Sequence, residues 1–578
     1  MKVDPVTMEV LRNAFFMVAE EMGVILQRSA YSSNIKTRLD FSCAIFDDKL
    51  RNIAQALHQP AHLGSLIHSV PKIIKEYGVE NLSPGDGILY NDPFRGSVHL
   101  PDVSLVSPVF HGSEIFGYVV NLAHHQDIGG RAPGSVPGDT TEIYQEGLIL
   151  PGIKLLEKGR IQGDILKMIL ANVRGAEKRA GDYRAQIAAN KAGVAGVKAI
   201  IERYGVETLK TYLDEILDYT ERRMRAELEK IPDGTYTAED YLDSRGVDPT
   251  PIKIHAVVKV EGSDVTVDLS GSDKQGEGPM NAPYGATLAA VSYIFKALVA
   301  KDIPVNDGMY RPIHIIAPEG LVVNAKPPAA VAGCWEISVR VSDVVLKAMA
   351  QALPDKVCAA GKGAICNISF GGIDPRNKKV YAFYETVAGG YGGRLGMDGM
   401  DAVQYHAQNT ENAPIEEVEM SLPVVVERYE LIPDSEGAGK YRGGLGLRRD
   451  YRFYDHTATF SILSERARFP PWGLFGGREA RCAKYIINPD SQNPVMLPSK
   501  ATIKLKPGDI VSVQTPGGGG YGDPLERDPE KVLIDVRDGK VSLERAKKIY
   551  GVVIEDGRIN YEATQKLRKK SLSKDIYL

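Results

Sequence analysis

The sequence predicts an α+β fold of several parts, in which a metal-bearing β-hairpin region near the N-terminus is followed by a helical block and a β-rich C-terminal part. Two apolar runs, 103–110 and 115–122, flank Gly112 and indicate the hairpin. Residues 163–231 are rich in Ala, Glu, Lys, Arg and Leu, which favour helices. Residues 424–513 alternate short apolar runs with glycine and proline turns, a pattern that indicates β-rich structure.

The 578 residues are enough for several hydrophobic cores. We predict four parts: an N-terminal metal-site region with the helical block (1–231), a middle α+β region with a glycine-rich loop (232–420), a β-rich region (421–525) and a charged C-terminal tail (526–578). The first boundary is placed at Pro232, where the segment PDGTY predicts a turn from helices into strands.

Charge and composition argue against several classes of function. The formal net charge is -4, with 25% charged residues of mixed sign, which argues against a nucleic-acid-binding surface. No apolar run approaches the roughly 18 residues that span a bilayer, and the first residues lack the pattern of a secretory signal. The five cysteines are scattered, without a CxxC pair, as in reduced thiols. We therefore expect a cytoplasmic protein that binds neither nucleic acid nor membrane.

The first predicted element is an amphipathic helix. Asp4 and Pro5 form a helix start, because an N-cap carboxylate precedes a proline in the first turn. Apolar residues then recur at helical spacing and predict one buried stripe, made of Leu11, Phe15, Val18, Met22 and Ile25.

Arg38 and Asp40 precede a predicted strand at 41–46. Two interpretations stay open. The pair is either a surface ion pair, or an active-site acid, Asp40, with the arginine that positions it.

Three histidines follow in the segment QALHQPAHLGSLIHS, at positions 58, 62 and 68. His58 and His62 are four residues apart, but Pro60 between them argues against a regular helix. We expect this loop to line the pocket of the hairpin site or to cap the next helix. A second metal site here is the weaker alternative.

The hairpin is expected to bring His99 and Asp102, near the start of its first strand, close to His124 at the end of its second. Imidazole and carboxylate are ligands of divalent transition metals such as Zn, Mn, Fe or Co. The alternative is that each residue is a polar strand end bonded to backbone. His125 is adjacent to His124 in an extended chain and should point to the opposite face. His111, at the predicted turn, should be exposed.

Two glutamates beyond the hairpin, Glu142 and Glu146, lie four residues apart. They are either an exposed helix face, or one of them is a fourth metal ligand or a general base. The helical block that follows should contain at least two helices with a break within 193–205.

A glycine-rich stretch occupies 387–416 and contains Asp398, Asp401 and His406, for which we expect ordinary loop hydrogen bonding. It does not match the phosphate-binding pattern GxxxxGK[ST], which occurs nowhere in the chain. There is also no dinucleotide-binding fingerprint between a predicted strand and helix. We therefore expect that this chain does not bind ATP by either route.

Seven ordered blocks, spread from Asp4 to about Pro524, together resemble the hydantoinase B/oxoprolinase family. They are DPVTMEVLRN, RLDFSCAIFD, NDPFRGSVHLPDV, HHQDIGG, GDYRAQIAAN, the glycine-rich region ending NAPIE, and PGGGGYGDP. The family includes B-type subunits of ATP-dependent N-methylhydantoinases, part of 5-oxoprolinase, and subunits of acetone and acetophenone carboxylases.

The resemblance implies a division of labour between two subunits in a hetero-oligomer. A separate A-type subunit, an ATPase, binds ATP and phosphorylates the substrate, and the B-type subunit carries a divalent transition metal (Mn, Zn, Fe or Co). The substrate would be a cyclic amide that is hydrolysed, or a ketone that is carboxylated. A structural partner without its own chemistry is the third alternative.

The resemblance also places the metal ligands on His99, Asp102 and His124, the trio that the hairpin pattern favours. Asp40, His125 and Asp127 are the candidate catalytic residues, with His125 and Asp127 orienting ligands or accepting a proton from the attacking water. We expect a hydrolase acting on cyclic amides, with the ketone carboxylase as the alternative.

Overall fold

The computed structural model describes residues 3–572, which form the mixed α and β architecture that the sequence predicts. The helices, numbered in chain order, are α1 Pro5–Ser29, α2 Ser33–Lys36, α3 Pro60–Tyr77, α4 Gly163–Ala171, α5 Ala176–Tyr204, α6 Val206–Leu228, α7 Tyr284–Leu298, α8 Asp307–Tyr310, α9 Cys334–Met349, α10 Ile415–Ser421, α11 Pro529–Arg537, α12 Leu543–Lys548 and α13 Tyr561–Leu572.

Strands within residues 3–572 form five sheets. A seven-stranded sheet has the order β2 Asn52–Gln55, β1 Phe41–Asp47, β5 Glu114–His124, β4 Asp102–His111, β3 Gly87–Tyr90, β6 Pro151–Glu157 and β7 Arg160–Ile161. A second sheet joins β11 Ile313–Ile316, β10 Asp264–Asp268, β9 Ile252–Glu261 and β8 Gly234–Leu242. The C-terminal half contributes β13 Val380–Thr386, β12 Asn367–Ile373, β16 Ala458–Leu463 and β19 Lys500–Leu505 in one sheet, and β14 Val424–Leu431, β15 Leu447–Phe453, β20 Ile510–Gln514, β17 Lys484–Ile487 and β18 Val495–Leu497 in another. β21 Ile554–Glu555 and β22 Arg558–Ile559 pair near the end.

The predicted hairpin is confirmed as β4 and β5 at the centre of the seven-stranded sheet. Its turn contains Gly112, whose φ of 60° lies in the left-handed region that glycine adopts without strain. The antiparallel register sets Asp102 directly opposite His124. The two ends of the hairpin that carry the candidate ligands are therefore adjacent.

Helices cover both faces of this sheet, so alternate residues of β5 enter different cores. Val120 packs with residues of α3, whereas Val119 packs with residues of α1 and α5. His124 belongs to the α3 side. His125 belongs to the α5 side, where its ring stacks on Tyr183 with 4.4 Å between ring centroids.

The helical block breaks within the predicted range. α5 runs past Gly193 to Tyr204, and the chain turns at Gly205 with φ of 78° before α6 begins. Gly193 lies inside the helix, where a Cβ would overlap the side chain of Met22 in α1. Pro60 begins α3, so no regular helix contains both His58 and His62, as expected.

Helix α7 contacts α3 on one side and α9 on the other. The first turn of α9, which contains Trp335, thereby lies against the hairpin. The largest hydrophobic core lies between these helices and the second sheet, and its residues come from many segments between Leu89 and Leu463. The division of the chain into four parts stays a prediction.

The late glycine-rich segments pack against one another, backbone on backbone. A Cβ on Gly443 would overlap the carbonyl oxygen of Gly518, and a Cβ on Gly444 would overlap that of Met400. Most glycines of 389–399, 437–446 and 517–522 therefore serve close main-chain packing. Among the described residues, no helix is both long and apolar enough to cross a membrane.

Candidate metal centre and its pocket

The structure brings His99, Asp102 and His124 into one buried group, in which one ligand atom from each residue lies within 4.8 Å of the others. His99 Nε2 is 3.1 Å from Asp102 Oδ2. The rings of His99 and His124 are 5.0 Å apart between centroids. Antiparallel pairing of the hairpin ends accounts for this juxtaposition.

The polar atoms that face one another in this group lack hydrogen-bond partners within the described chain. They are His99 Nε2, Asp102 Oδ1 and His124 Nε2. Buried polar atoms without partners are costly, so such a concentration points to a missing ligand. Two imidazole nitrogens and a carboxylate oxygen fit a divalent transition metal with positions left open for other ligands.

The ionisation of the trio suits metal binding. Burial opposes the charge of Asp102, but the neighbouring His99 and His62 more than offset it and hold the pKa of this carboxyl well below its usual value. Burial lowers the pKa of His124 well below its ordinary value, which keeps the imidazole neutral. Burial also opposes charge on His99, but Asp102 beside it raises the pKa of that imidazole. The raised pKa of His99 favours a proton there, which a metal ion would have to displace.

Residues from distant segments orient the trio. Trp335 Nε1 donates to Asp102 Oδ2 at 3.1 Å. Asn34 Nδ2 lies 3.0 Å from His124 Nδ1 and donates to its backbone oxygen at 2.7 Å. The Tyr384 ring stacks on His124 with 4.3 Å between centroids. Such outer contacts fix the orientation of metal-binding side chains. Sequence reasoning missed all three residues, because no local pattern connects them to the hairpin.

A small pocket, with a cavity volume of about 30 Å³, opens beside the trio. Its lining includes Asp40, His62, His124, Trp335 and Tyr384. The expectation that the His58–His68 loop lines the same pocket is confirmed for His62, which lies in the first turn of α3.

Asp40 and His62 extend the polar group of the pocket. His62 Nε2 lies 3.6 Å from Asp40 Oδ1 and 3.5 Å from Asp102 Oδ1. Burial raises the pKa of Asp40 above that of an ordinary aspartate. Of the three candidate catalytic residues, Asp40 is the one that faces this pocket.

The surface ion pair considered for Arg38 and Asp40 is wrong, since both side chains are buried. Arg38 donates to Asn34 Oδ1 and, at 2.7 Å, to the hydroxyl of Thr386. Asn34 Nδ2 in turn approaches Asp40 Oδ2 at 3.3 Å. The arginine therefore positions Asp40 through Asn34 rather than by direct pairing.

His125 and Asp127 do not line the pocket, so their predicted catalytic roles lack geometric support. His125 faces α5, where its Nε2 lies 3.0 Å from Gln186 Oε1. Asp127 accepts backbone N–H bonds from Gly129, Gly134 and Arg174, and a guanidinium bond from Arg174 at 3.1 Å. His125 points away from the pocket because successive strand residues face opposite sides of the sheet. The Asp127 carboxylate is used to hold the tight turn after the hairpin.

Glu146 is buried, so of its two interpretations the exposed helix face is wrong. It accepts hydrogen bonds from the backbone N–H groups of Val331 and Ala332 and from the Thr140 hydroxyl. Burial raises its pKa to about 7. This glutamate fixes the segment that leads into α9. Its partner in the pattern, Glu142, forms an isolated β-bridge with Ala329.

The remaining candidates lie outside the pocket, except His406. The His58 ring packs against Phe41, and the exposed His111 ends β4. Asp398 and Asp401 bind Arg442 and Arg527, which is the loop bonding that we expected. His406 lines the pocket, with Nε2 3.6 Å from Asp343 Oδ1.

Comparison with known proteins identifies the family of this chain. The family model described as hydantoinase B/oxoprolinase matches residues 4–524. A relative from Pseudomonas sp. (strain NS671), named as the B-type subunit of a putative D-/L-hydantoinase, is 38% identical over 590 residues. The match covers 98% of this chain and 98% of that relative.

Two solved structures share the fold. The ATP-dependent caprolactamase from Pseudomonas jessenii is 32% identical with a TM-score of 0.90, over 98% of this chain and 100% of that one. An acetone carboxylase in its nucleotide-free form has a TM-score of 0.91 at 19% identity, over 99% of this chain and 83% of that one, and shows the shared fold alone. The chain belongs to the hydantoinase B/oxoprolinase family.

Proposed function

We propose that this chain is the metal-binding catalytic subunit of an ATP-dependent hydrolase of cyclic amides. The observation that carries the proposal is the trio of unpartnered donor atoms on His99, Asp102 and His124 beside a pocket. Membership in the family, with relatives named hydantoinase and caprolactamase, supports a cyclic amide as substrate.

The proposal includes a partner, an A-type ATPase subunit. The chain lacks the phosphate-binding motif, and the hydantoinase relative is named as a B-type subunit. In this division the partner would phosphorylate the amide oxygen with ATP. The ring would then be opened in the pocket of this chain.

The chemistry explains the need for both subunits. An amide is a poor electrophile because attack removes its resonance, and phosphorylation of its oxygen makes the ring carbon more electrophilic. Addition of water to that carbon and cleavage of the C–N bond would leave an acyl phosphate, from which a second water would release phosphate. A divalent metal held by the trio would supply Lewis acidity and a water of lowered pKa. Trp335 fixes the Asp102 carboxylate for that role through Nε1.

Asp40 would handle a proton. Burial raises the pKa of its carboxyl and so favours a proton there, which can be given to the ring nitrogen as the C–N bond breaks. His62 Nε2 lies 3.6 Å from Asp40 Oδ1 and 3.5 Å from Asp102 Oδ1, where it would hold the Asp40 carboxyl in place. Burial of Asp40 and His62 limits exchange with bulk water.

The test is reconstitution with the A-type ATPase subunit of the same organism, followed by assays of ADP release and ring opening with hydantoin and lactams. We expect both activities without added bicarbonate, and their loss in Asp102→Asn but not in the control Asp164→Asn, whose side chain is fully exposed. Strict dependence on bicarbonate would instead indicate a carboxylase. Full activity of the metal-free Asp102→Asn complex would indicate a structural partner.

A further inference from the structure

A second cleft, with a cavity volume of about 580 Å³, is lined by residues of α1, β2, α3 and α7 and by the segment that leads into α8. Its volume lies in the range of small-molecule sites, roughly 300–1,000 Å³. Pro60 and Leu63 of α3 line this cleft, whereas Ala61 and His62 of the same turn line the metal pocket. No described residue lines both cavities. The cleft is therefore a separate cavity beside the helical turn that carries His62.

The lining of the cleft is largely apolar because three hydrophobic cores approach one another there. Ile53 belongs to the core beside α1, Leu63 to the core beneath α3, and Ile303 to the largest core. Leu57, which also lines the cleft, is 81% exposed. An apolar ligand in the cleft would remove this side chain from water, which is favourable.

Two ammonium groups of the lining lack carboxylate partners. Arg12 pairs with Glu9, and Asp302, the one acidic residue among the described residues of the lining, pairs with Arg223 at 2.8 Å. Within residues 3–572, neither Lys296 nor Lys301 forms an ion pair with a carboxylate. The cleft therefore combines an apolar lining with an excess of positive charge.

Lys296 is the better placed of the two lysines, because it is half-buried whereas Lys301 is exposed. Its ammonium donates to the backbone oxygens of Ala300 at 3.1 Å and of Lys301 at 3.2 Å, so one of its three N–H donors is left for a ligand. Burial lowers the pKa of Lys296, and the nearby Asp302 opposes this only in part. An anion beside this ammonium would offset the cost of its burial.

Ser292 adds a neutral donor to the lining. It lies four residues before Lys296, so the two residues share one face of α7. The serine is 2% exposed, and its hydroxyl has no hydrogen-bond partner in the described part of the chain. A buried hydroxyl is normally hydrogen-bonded, so its isolation here points to a polar group that the protein itself does not supply.

We propose that this cleft binds a small organic anion with an apolar body, whose carboxylate or phosphate group lies at Lys296 and Lys301. The apolar body packs against Leu57 and Leu63, and the hydroxyl of Ser292 supplies a further hydrogen bond. A cationic ligand is disfavoured, because it would meet two ammonium groups without carboxylate partners. This binding is additional to the proposed function and does not depend on it.

The first test compares ligands of one chain length by titration calorimetry on the purified chain. Decanoate and decyl phosphate carry an anionic group, and decylammonium carries a cationic one. We expect Kd to be about tenfold or more lower for at least one of the two anions than for decylammonium, and the better anion identifies the preferred group. Equal or tighter binding of decylammonium, or no binding of either anion at millimolar concentration, would overturn the proposal.

Lysine variants test the charged end of the site. Lys296→Met should raise the Kd of decanoate about tenfold, because a hydrogen bond to a charged group is lost, and Lys296→Arg should restore most of the affinity. Lys356→Met is the matched control, since Lys356 also donates to a backbone oxygen at the end of α7, that of Leu298, but does not line the cleft. Equal Kd values for Lys296→Met and Lys356→Met would overturn the assignment of Lys296.

Two further variants locate the bound anion. Ala297 is an exposed residue of α7 in the lining, so Ala297→Trp should fold, crowd the cleft and raise the Kd of decanoate about tenfold or more. The control is Ala226→Trp, at an exposed position of α6 outside the cleft. A carboxylate can also bind a metal ion, so the titration is repeated with Asp102→Asn, for which we expect an unchanged Kd. Binding that Asp102→Asn abolishes, or that Ala297→Trp leaves unchanged, would overturn the proposal.

Discussion

Replacement of Trp335 by phenylalanine should weaken metal binding by this chain. The indole N–H donates to Asp102 Oδ2 at 3.1 Å, and the carboxylate is fully buried. A hydrogen bond to a charged group contributes about 1.5–3 kcal/mol, which corresponds to about 10- to 100-fold in affinity. Phenylalanine retains a ring beside His99, whose centroid is 6.2 Å from that of the indole, so packing changes little.

The assay is competition for Zn²⁺ between the purified chain and a chromophoric chelator. The chain offers a matched control, because its other tryptophan, Trp472, has no hydrogen-bond partner for Nε1 among the described residues. Trp472→Phe should bind Zn²⁺ like the wild type. Equal affinities of Trp335→Phe and Trp472→Phe would refute the argument that the indole orients the carboxylate.

Three further predictions concern stability. Asp127→Asn should lower the free energy of unfolding, measured in urea, by about 2 kcal/mol, because the carboxylate accepts from three backbone N–H groups and Arg174. The variant should bind Zn²⁺ like the wild type. Weaker Zn²⁺ binding at unchanged stability would contradict this prediction. Gly64→Ala should lower the free energy of unfolding by about 1–3 kcal/mol, since its Cβ would lie 2.7 Å from Ala289 Cα in α7. In the control Gly163→Ala, the added Cβ meets no atom within 4 Å. Equal urea midpoints of the two variants would argue against the contact with Ala289. Burial lowers the pKa of His58 from 6.5 to about 4, so its contribution to stability is present above pH 6.5 and is lost as the pH falls toward 4. In His58→Gln, the free energy of unfolding measured in urea should therefore fall less steeply over this pH range, by up to about 1.4 kcal/mol per pH unit. An unchanged slope would count against this prediction.

The hairpin was predictable because its information is local. Two apolar runs and one glycine define both strands, and antiparallel pairing then sets Asp102 opposite His124. The opposite orientation of His125 follows from strand alternation alone. Its predicted catalytic role stays a prediction.

The rest of the site was not predictable from local pattern. Trp335 is 233 positions from Asp102, and α7 packed between α3 and α9 brings the two together. His62 was expected in a segment that lines the pocket, but its distances to Asp40 and Asp102 depend on how α3, which begins at Pro60, packs on the sheet. The glycine-rich segments gave no signal of their mutual packing, which depends on contacts between distant parts of the chain.

The most direct test of the central claim is the metal content of the purified chain, measured by elemental analysis. We predict about one divalent transition metal per chain in the wild type and in His125→Ala, and its loss in His99→Ala, Asp102→Ala and His124→Ala. Metal retained in those three variants, or absent from a wild type purified without chelators and supplied with Zn²⁺ or Mn²⁺, would contradict the assignment of the trio as a metal site.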